Sequence, residues 1–210
     1  MIKIENVDVC GWKAAIRGMR NPMNSWDKSD SKEYENWVAG GIEFEVGDND
    51  LKLMKTLSKS GDDHGKFLRM INVTLDITAP LYWWKEFDTY KVGTVANSCS
   101  TMHKIHAKEF ELDDFSHEHL DEMTLDWLSG TIDILNNRRS LFLMTKDKDY
   151  WWEMIQTLPS SYNQKRTVQL NYQVLKNMYL ARKHHKLDEW REFCEWCETL
   201  PYFKELVLDE

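Results

Sequence analysis

Alternation of apolar and polar residues marks two strands in the first half of the chain. The clearer one covers 71–77, where every second residue is apolar. A period of two is typical of a strand with one buried face. A weaker alternation over 2–9 predicts an N-terminal strand. Pro80 closes the clearer strand and suits the first turn of a helix, which we predict over 81–87.

Apolar residues at helical spacing predict a long helix that begins near Ser116, with Gly130 as its weakest point. Its apolar positions include Leu120, Met123, Trp127 and Leu128. The segment 21–32 is rich in Asn, Ser, Asp and Pro and is interpreted as a surface loop that could act as a lid. Other helices are predicted over 14–20, 51–57, 149–157, 167–184 and 187–200.

These elements predict an α+β (α/β) fold in which several helices surround a small central sheet. The chain has 210 residues, of which 42% are hydrophobic, enough for one sizeable core. We therefore expect a single domain over 1–210.

The charge balance limits the partners of the protein. With 27 basic and 35 acidic residues the net charge is -8, which argues against a broad basic face for nucleic acid. A small anionic ligand in a local basic pocket remains compatible. No run of about 18 apolar residues and no signal-peptide pattern is present, so we expect a cytoplasmic protein without membrane attachment.

Several residues have the types that bind metals or perform redox chemistry. Cys194 and Cys197 form a C-x-x-C, which can be a redox pair, half of a zinc site or two thiols on a helix face. We favour the last, and we predict no metal site, because the histidines in 117–119 and 184–185 point to different sides of a helix. Cys99 could be a nucleophile, but the sequence shows no base that would activate it.

Two stretches carry a more specific pattern. The first, 64–103, contains His64 in a turn, the alternating strand, Ala-Pro, a helix and then the segment 88–103. The second, 158–191, contains Leu-Pro, then Asn171 and Gln173 separated by one residue, and then Ala-Arg at 181–182. A shorter match lies at 15–20.

In order and spacing, with about one residue of slack, these stretches resemble the flavin-dependent thymidylate synthase family. That family has a Gly-His turn, then an alternating strand ending in Ala-Pro, and then a helix. The helix leads to the motif Arg-His-Arg-x-x-Ser-x-Asn-Glu-x-Ser-x-Arg-Tyr, where x is any residue. Further along it has Leu-Pro, Asn-x-Arg-x-Leu and Leu-Arg. The resemblance implies a homotetramer whose active sites lie between subunits and hold FAD and a deoxyuridine nucleotide.

The reaction implied is reductive methylation without a protein nucleophile. Reduced flavin relays a methylene group from methylenetetrahydrofolate to dUMP and supplies the hydride, with NADPH as a further co-substrate. By position, Arg182 is the expected catalytic residue, because a cation beside the pyrimidine favours its ionised form. The resemblance assigns Lys91, Ser98, Ser100 and Arg182 to the nucleotide. It assigns His64, Tyr90, Lys91, Asn171 and Gln173 to the cofactor.

The chain departs from the family mainly by losing cations. Tyr90 lies in the Arg-His-Arg segment, Gln173 replaces an Arg, Ser98 replaces the Glu, and Met102 stands where an Arg would meet the nucleotide phosphate. Each lost charge-assisted contact costs about 1.5–3 kcal/mol. The site is therefore expected to hold a less anionic or differently posed ligand.

These observations favour a divergent synthase-like enzyme that transfers a one-carbon group to a deoxyuridine nucleotide. A non-catalytic nucleotide-binding protein of the same fold is the alternative, and a purely structural protein is a third possibility. Lys165 and Arg166, just before Asn171, either take a phosphate or form a solvated basic pair.

Overall fold

The computed structural model describes residues 2–36 and 41–208. The chain divides into two compact units. The first unit comprises Met1–Glu5, Asp76–Thr89 and Ala96–Val168. The second unit comprises Asn6–Leu75, Tyr90–Val95 and Gln169–Glu210.

The strands of the described residues form two sheets. A four-stranded sheet has the order β1-β4-β6-β5, and β2 pairs with β3 as an antiparallel hairpin with Lys32 opposite Glu45. The strands are β1 Lys3–Cys10, β2 Lys32–Asn36, β3 Gly41–Glu45, β4 Asn72–Pro80, β5 Val95–Ser98 and β6 Asn163–Asn171.

Helices make up most of the remaining described chain, joined by short turns and 3-10 segments. They are α1 Trp12–Arg20, α2 Asp48–Lys59, α3 Leu81–Phe87, α4 Thr101–Lys104, α5 Glu122–Thr145, α6 Lys148–Thr157, α7 Tyr172–Arg182, α8 Asp188–Cys197 and α9 Phe203–Val207. The α+β class with a small sheet is thus confirmed. Within 2–36 and 41–208, no helix combines the length and the apolar character needed to cross a bilayer.

The core of the first unit lies beneath α5 and α6. Asn136 of α5 holds the segment before the helix, since its side chain accepts from the Phe110 N–H at 2.8 Å and donates to the Phe110 carbonyl at 2.9 Å. Both backbone groups of Phe110 are thereby satisfied beside an apolar cluster. The buried members of that cluster are Ile105, Phe110, Phe115, Leu128, Ile132, Leu135 and Met154.

The second unit is organised around α7. Its first residue, Tyr172, is fully buried, and its hydroxyl donates to the Pro201 carbonyl at 2.7 Å. The Tyr172 ring packs edge-on against Trp12 and Phe203. These aromatic contacts join α1 and α9 to the start of α7.

Arg20 and Asp50 form a buried ion pair in the same unit. The Arg20 Nε lies 2.6 Å from the Asp50 Oδ1, and both side chains are almost fully buried. The Asp50 Oδ2 accepts from the hydroxyls of Ser29 and Ser31, each at 2.6 Å. The segment predicted as a loop is therefore anchored to the start of α2 by this carboxylate.

The predictions of the strand at 71–77 and of the helices at 14–20, 51–57, 81–87 and 149–157 are confirmed, apart from their exact ends. The helix predicted over 187–200 is confirmed as α8 but ends at Cys197. The N-terminal strand is confirmed as β1.

Other predictions are wrong in part. The helix predicted over 167–184 is strand β6 up to Asn171, because Val168 and Leu170 are buried while Thr167 and Gln169 are exposed, a period of two. The helix predicted from Ser116 begins only at Glu122, after the Asp121 side chain accepts from the Thr124 N–H.

Candidate functional site

Arg182 is held by an aromatic surface at the end of α7. Its Nε donates to the Tyr90 hydroxyl at 3.0 Å. Its guanidinium carbon lies 5.7 Å from the centre of the Tyr90 ring and 4.9 Å from the centre of the Trp190 ring. Trp190 belongs to α8 and is fully buried. Both distances suit cation–π attraction. Two residues that were predicted separately, Tyr90 and Arg182, are therefore direct partners.

Asn171 joins the end of β6 to the loop after Tyr90. Its Oδ1 accepts from the Val174 N–H at 3.1 Å and caps α7. Gly93 has a φ of 79°. A Cβ on Gly93 would lie 3.0 Å from the Asn171 Nδ2 and 3.2 Å from Val174. A glycine thus allows the loop to approach Asn171 closely.

Gln173 carries a buried acceptor without a partner. Its Nε2 donates to Asn177 at 3.1 Å and to Asp62 at 3.3 Å. Its Oε1 and the buried hydroxyl oxygen of Thr94 have no hydrogen-bond partner within the part of the chain that the structure describes. A buried polar atom left unpaired costs about 1–3 kcal/mol. These two atoms indicate where a ligand group or a water would be stabilised.

The two other residues predicted for the cofactor are exposed. Lys91 directly follows Tyr90, and among residues 2–36 and 41–208 its ammonium group has no ion-pair or hydrogen-bond partner. His64 lies in the turn before a 3-10 helix at Gly65–Met70, and its backbone N–H donates to the Gly61 carbonyl at 3.1 Å. Lys91 is thus available to an anionic ligand.

Ser98 and Ser100 lie in the first unit, at the end of β5 and just beyond it. Ser98 is the exposed last residue of β5. Ser100 caps α4, because its hydroxyl accepts from the His103 N–H at 3.0 Å. The Cys99 between them is exposed, and its backbone N–H donates to the Lys165 carbonyl at 2.9 Å. The Ser100 hydroxyl therefore already has a structural role.

A side-chain network that the sequence analysis missed supports this segment. Gln164 donates to the Cys99 carbonyl at 3.0 Å and to the Thr101 hydroxyl at 2.8 Å. Its Oε1 accepts from the Arg166 Nε at 2.9 Å, and Arg166 also pairs with Asp88 at 2.8 Å. The i, i+2 spacing of Gln164 and Arg166 would have placed them on one face of a strand, had β6 been recognised.

Both members of the basic pair at 165–166 have carboxylate partners. Lys165 lies 3.1 Å from Asp76 and 3.6 Å from Glu5. Asp76 raises the pKa of Lys165 through a hydrogen bond, with a smaller opposing effect of burial. Asp88 neutralises Arg166, whose guanidinium also lies 4.2 Å from the centre of the Trp84 ring. A phosphate at these cations would compete with carboxylates.

A cavity of 660 Å³ opens beside α1 in the second unit. Lys13, Arg17 and Glu33 line it, and Lys13 pairs with Glu33 at 2.8 Å. None of the predicted site residues lines this cavity.

The C-x-x-C on α8 is a pair of buried free thiols. Burial raises the pKa of Cys194 to about 12 and raises that of Cys197 well above its ordinary value, with neighbouring Glu198 adding to both shifts. The described residues contain no group of three or more His, Cys, Asp or Glu side chains suited to a metal ion. Thiols that stay protonated are poor nucleophiles and poor metal ligands.

No model of a known protein family matches the chain, and no curated protein matches its sequence. Solved structures do match its fold. Thymidylate synthase X (ThyX) from Helicobacter pylori, with FAD and dUMP, superimposes with a TM-score of 0.70 at 17% identity. The match covers 100% of this chain and 98% of that one.

A UMP/dUMP methylase, PolB from Streptomyces cacaoi bound with 5-Br dUMP, gives a TM-score of 0.69 at 14% identity. This match covers 100% of this chain and 95% of PolB. Identities this low show a shared fold and no more. Over its whole length, then, the chain is a divergent protein with the fold of the flavin-dependent thymidylate synthase ThyX.

Proposed function

We propose that the protein is a divergent flavin-dependent thymidylate synthase-like enzyme that transfers a one-carbon group to a deoxyuridine nucleotide, by reductive methylation or a related reaction. The observation that carries the proposal is the buried Oε1 of Gln173, which has no hydrogen-bond partner among the described residues and lies at a position that the family uses for flavin. The ThyX fold supports it, because its solved examples bind FAD and dUMP.

The residues of the second unit fit a flavin nucleotide. Gln173 and Thr94 offer buried oxygens to hydrogen-bond donors, and Asn171 offers its Nδ2. Lys91, which has no ion-pair partner in the part of the chain that the structure describes, offers a positive charge to a phosphate. When bound, reduced flavin would relay the methylene group of methylenetetrahydrofolate and supply the hydride, with NADPH as the source of electrons.

Arg182 is the residue we assign to the pyrimidine. A guanidinium beside the ring favours the ionised form of the base, which lowers the cost of moving its proton. Tyr90 and Trp190 limit the rotamers of Arg182 by hydrogen bonding and stacking. The cation is thereby oriented before substrate arrives, which is the arrangement that electrostatic catalysis requires.

A second function is a nucleotide-binding protein that has lost flavin chemistry. The replacement of cations at the cofactor positions Tyr90 and Gln173 favours it, because a flavin nucleotide then has fewer charged partners for its phosphates. A homotetramer with sites between subunits, as in the family, is part of either proposal and stays a prediction, as does the single domain.

The deciding experiment is reconstitution of the full chain with FAD, followed by methylenetetrahydrofolate, NADPH and dUMP. A flavin absorption spectrum after gel filtration tests cofactor binding, and mass spectrometry of the nucleotide tests methylation. Arg182→Ala should abolish turnover and keep flavin binding. Lys183→Ala is the matched control, because it removes the neighbouring, exposed cation.

Three results distinguish the candidates. Flavin binding with folate-dependent methylation supports the enzyme. Binding of dUMP by calorimetry without flavin uptake or turnover supports the nucleotide-binding protein. Turnover that survives Arg182→Ala would overturn the assignment of Arg182, and a chain that binds neither FAD nor dUMP would overturn both functions.

A further inference from the structure

A second cavity lies beside α1, where the β2–β3 hairpin also lines it, and we call it the hairpin cavity. Its volume is 390 Å³, within the range of pockets that hold small molecules. It shares Lys13 and Arg17 with the 660 Å³ cavity described above. All of its lining residues belong to the second unit, and none is a residue predicted for the nucleotide or the cofactor.

The lining of the hairpin cavity is rich in cations, although the chain as a whole has a net charge of -8. Of the described residues that line it, four are basic and one is acidic. They are Lys13, Arg17, Arg20, Lys32 and Glu33. Because Arg20 is already bound to Asp50, the other three basic side chains are the ones that can act on a ligand.

Arg17 is available to such a ligand. Within residues 2–36 and 41–208 its guanidinium has no hydrogen-bond or ion-pair partner. Lys13 pairs with Glu33 at 2.8 Å, but both side chains are exposed, and an exposed ion pair contributes little stability. Arg17 and Lys13 lie four residues apart on one face of α1, so both can approach the same anion.

Two aromatic side chains, Trp26 and Phe44, line the same cavity. Trp26 is 51% exposed, yet its Nε1 donates to the Asn21 Oδ1 at 2.8 Å. The backbone just before it is held as well, because Arg20 donates to the Ser25 carbonyl at 3.2 Å. An exposed indole that is oriented in this way offers a surface to a planar ring, since flat rings stack favourably on aromatic faces.

We propose that the hairpin cavity binds a small molecule that carries both a phosphate group and a planar ring. The ring lies against Trp26 and Phe44, and the phosphate lies against Arg17 and Lys13. A phosphate monoester has a charge of about -1.5 to -2 near neutral pH and several acceptor oxygens, so it can pair with a guanidinium and an ammonium together. This inference goes beyond the proposed function and does not depend on it.

The test uses pyridoxal 5′-phosphate, which has a phosphate, a planar ring and an aldehyde that records where it binds. A lysine amine condenses with the aldehyde and loses water. Borohydride then adds hydride to the imine, and water supplies the proton, which leaves a stable secondary amine. Peptide mass spectrometry of the full chain locates this label.

Lys13 or Lys32 should be labelled about tenfold more than Lys28, because binding in the cavity concentrates the aldehyde beside them. Lys28 is the internal control, since it is exposed in the same unit but does not line the cavity. The readout needs neither FAD nor dUMP, so its outcome is independent of the flavin and nucleotide experiments.

Arg17→Ala should lower the labelling of Lys13 and Lys32 about tenfold, because it removes a charge-assisted contact to the phosphate. Trp26→Ala should lower it as well, since it keeps every cation and removes the stacking face. Arg69→Ala is the matched control, because Arg69 is another exposed arginine of the same unit and does not line the cavity. Circular dichroism verifies that each variant folds.

Competition distinguishes two sources of the ligand. Protection of the label site by AMP, but not by adenosine or inorganic phosphate alone, supports a free nucleotide. Labelling that AMP leaves unchanged, with Arg17 and Trp26 still required, supports a phosphorylated coenzyme. Equal labelling of the cavity lysines and Lys28, or equal losses in Arg17→Ala and Arg69→Ala, would overturn the proposal. Inorganic phosphate that protects as well as AMP would overturn the role of the ring.

Discussion

The phenol oxygen of Tyr90 lies 3.0 Å from the Nε of Arg182, and the same guanidinium lies over the Tyr90 ring. The resemblance leads one to expect a cationic segment at Tyr90, whereas the residue present is a tyrosine that binds a cation. The Tyr90 hydroxyl is thus one of the groups that orient the cation that we assign to the pyrimidine.

Tyr90→Phe should lower kcat/KM for methylation, or the affinity for dUMP if no turnover occurs, by about ten- to a hundredfold. It removes one hydrogen bond to a charged group, worth about 1.5–3 kcal/mol, and keeps the ring. Steady-state kinetics or calorimetry measures the change. Tyr150→Phe is the control, because it makes the same change at a ring that also lies beside a guanidinium, 6.0 Å from the guanidinium carbon of Arg138, and Tyr150 is not a residue assigned to the site. Equal values for Tyr90→Phe and wild type would contradict the role of Tyr90.

Gly93→Ala should destabilise the protein and weaken FAD binding. Alanine at a positive φ costs about 1–2 kcal/mol, and its Cβ would also press on Asn171. Gly61→Ala provides the comparison, since Gly61 has a φ of 96° but nothing within 4 Å of a Cβ. Urea unfolding should show the greater loss for Gly93→Ala, and flavin titration should change in that variant alone. A larger loss of unfolding free energy for Gly61→Ala would contradict the close contact between Gly93 and Asn171.

Asp50→Asn should lower the free energy of unfolding by about 3–5 kcal/mol near neutral pH, because it leaves the buried Arg20 without its counterion. Asp48→Asn removes an exposed carboxylate from the same helical turn and should cost far less. Urea denaturation of both variants measures the difference. Similar losses in the two variants would show that the ion pair contributes little.

The stabilisation by Asp50 should depend on pH. Burial acts to raise the pKa of Asp50, but hydrogen bonds from Ser29, Ser31 and Arg20 outweigh it and lower the pKa. A lowered pKa in the folded state gives stabilisation that is complete above the unfolded pKa, about 3.9, and is lost as pH falls below it. The stability gap between wild type and Asp50→Asn should therefore narrow below about pH 4. A constant gap across that range would contradict this assignment.

Thiol labelling should separate the cysteines into two classes. Cys10 and Cys99 are exposed, whereas Cys194 and Cys197 are buried with raised pKa values. An Ellman titration at about pH 8 should show two fast thiols per native chain and four after denaturation. The double variant Cys10→Ser and Cys99→Ser should show none fast. Rapid labelling of Cys194 or Cys197 in that variant would contradict their protection and would support a redox role for the C-x-x-C.

The elements that could be predicted from the sequence are those in which buried and exposed side chains alternate with a single, regular spacing. The strand at 71–77 was recognised because Ile71, Val73, Leu75 and Ile77 are all buried. The hairpin of β2 and β3 was missed, since its strands are rich in Glu, an uncommon strand residue. Met123 and Trp127 helped to predict helix α5, yet both are exposed. Apolar residues lie on two faces of α5, and periodicity alone does not tell which face is covered.

The candidate site was predictable as residue types and not as contacts. Spacing along the chain indicated Tyr90 and Arg182, yet their hydrogen bond depends on a tertiary approach across about 90 residues. The same holds for Gln164 and Arg166, whose bonds to Cys99 and Asp88 follow from strand pairing. Partners of this kind become visible only when the fold is known.

The cap that Asn171 makes on α7 has a chemical consequence for whatever binds beside it. With its Oδ1 committed to the Val174 N–H, the amide cannot flip without uncapping the helix. Its NH₂ group therefore lies toward the Gly93 loop, where a Cβ would come within 3.0 Å of the Nδ2. A ligand placed beside this NH₂ group would need to offer it an acceptor, such as a carbonyl oxygen, a ring nitrogen or a phosphate oxygen, because the NH₂ group can only donate.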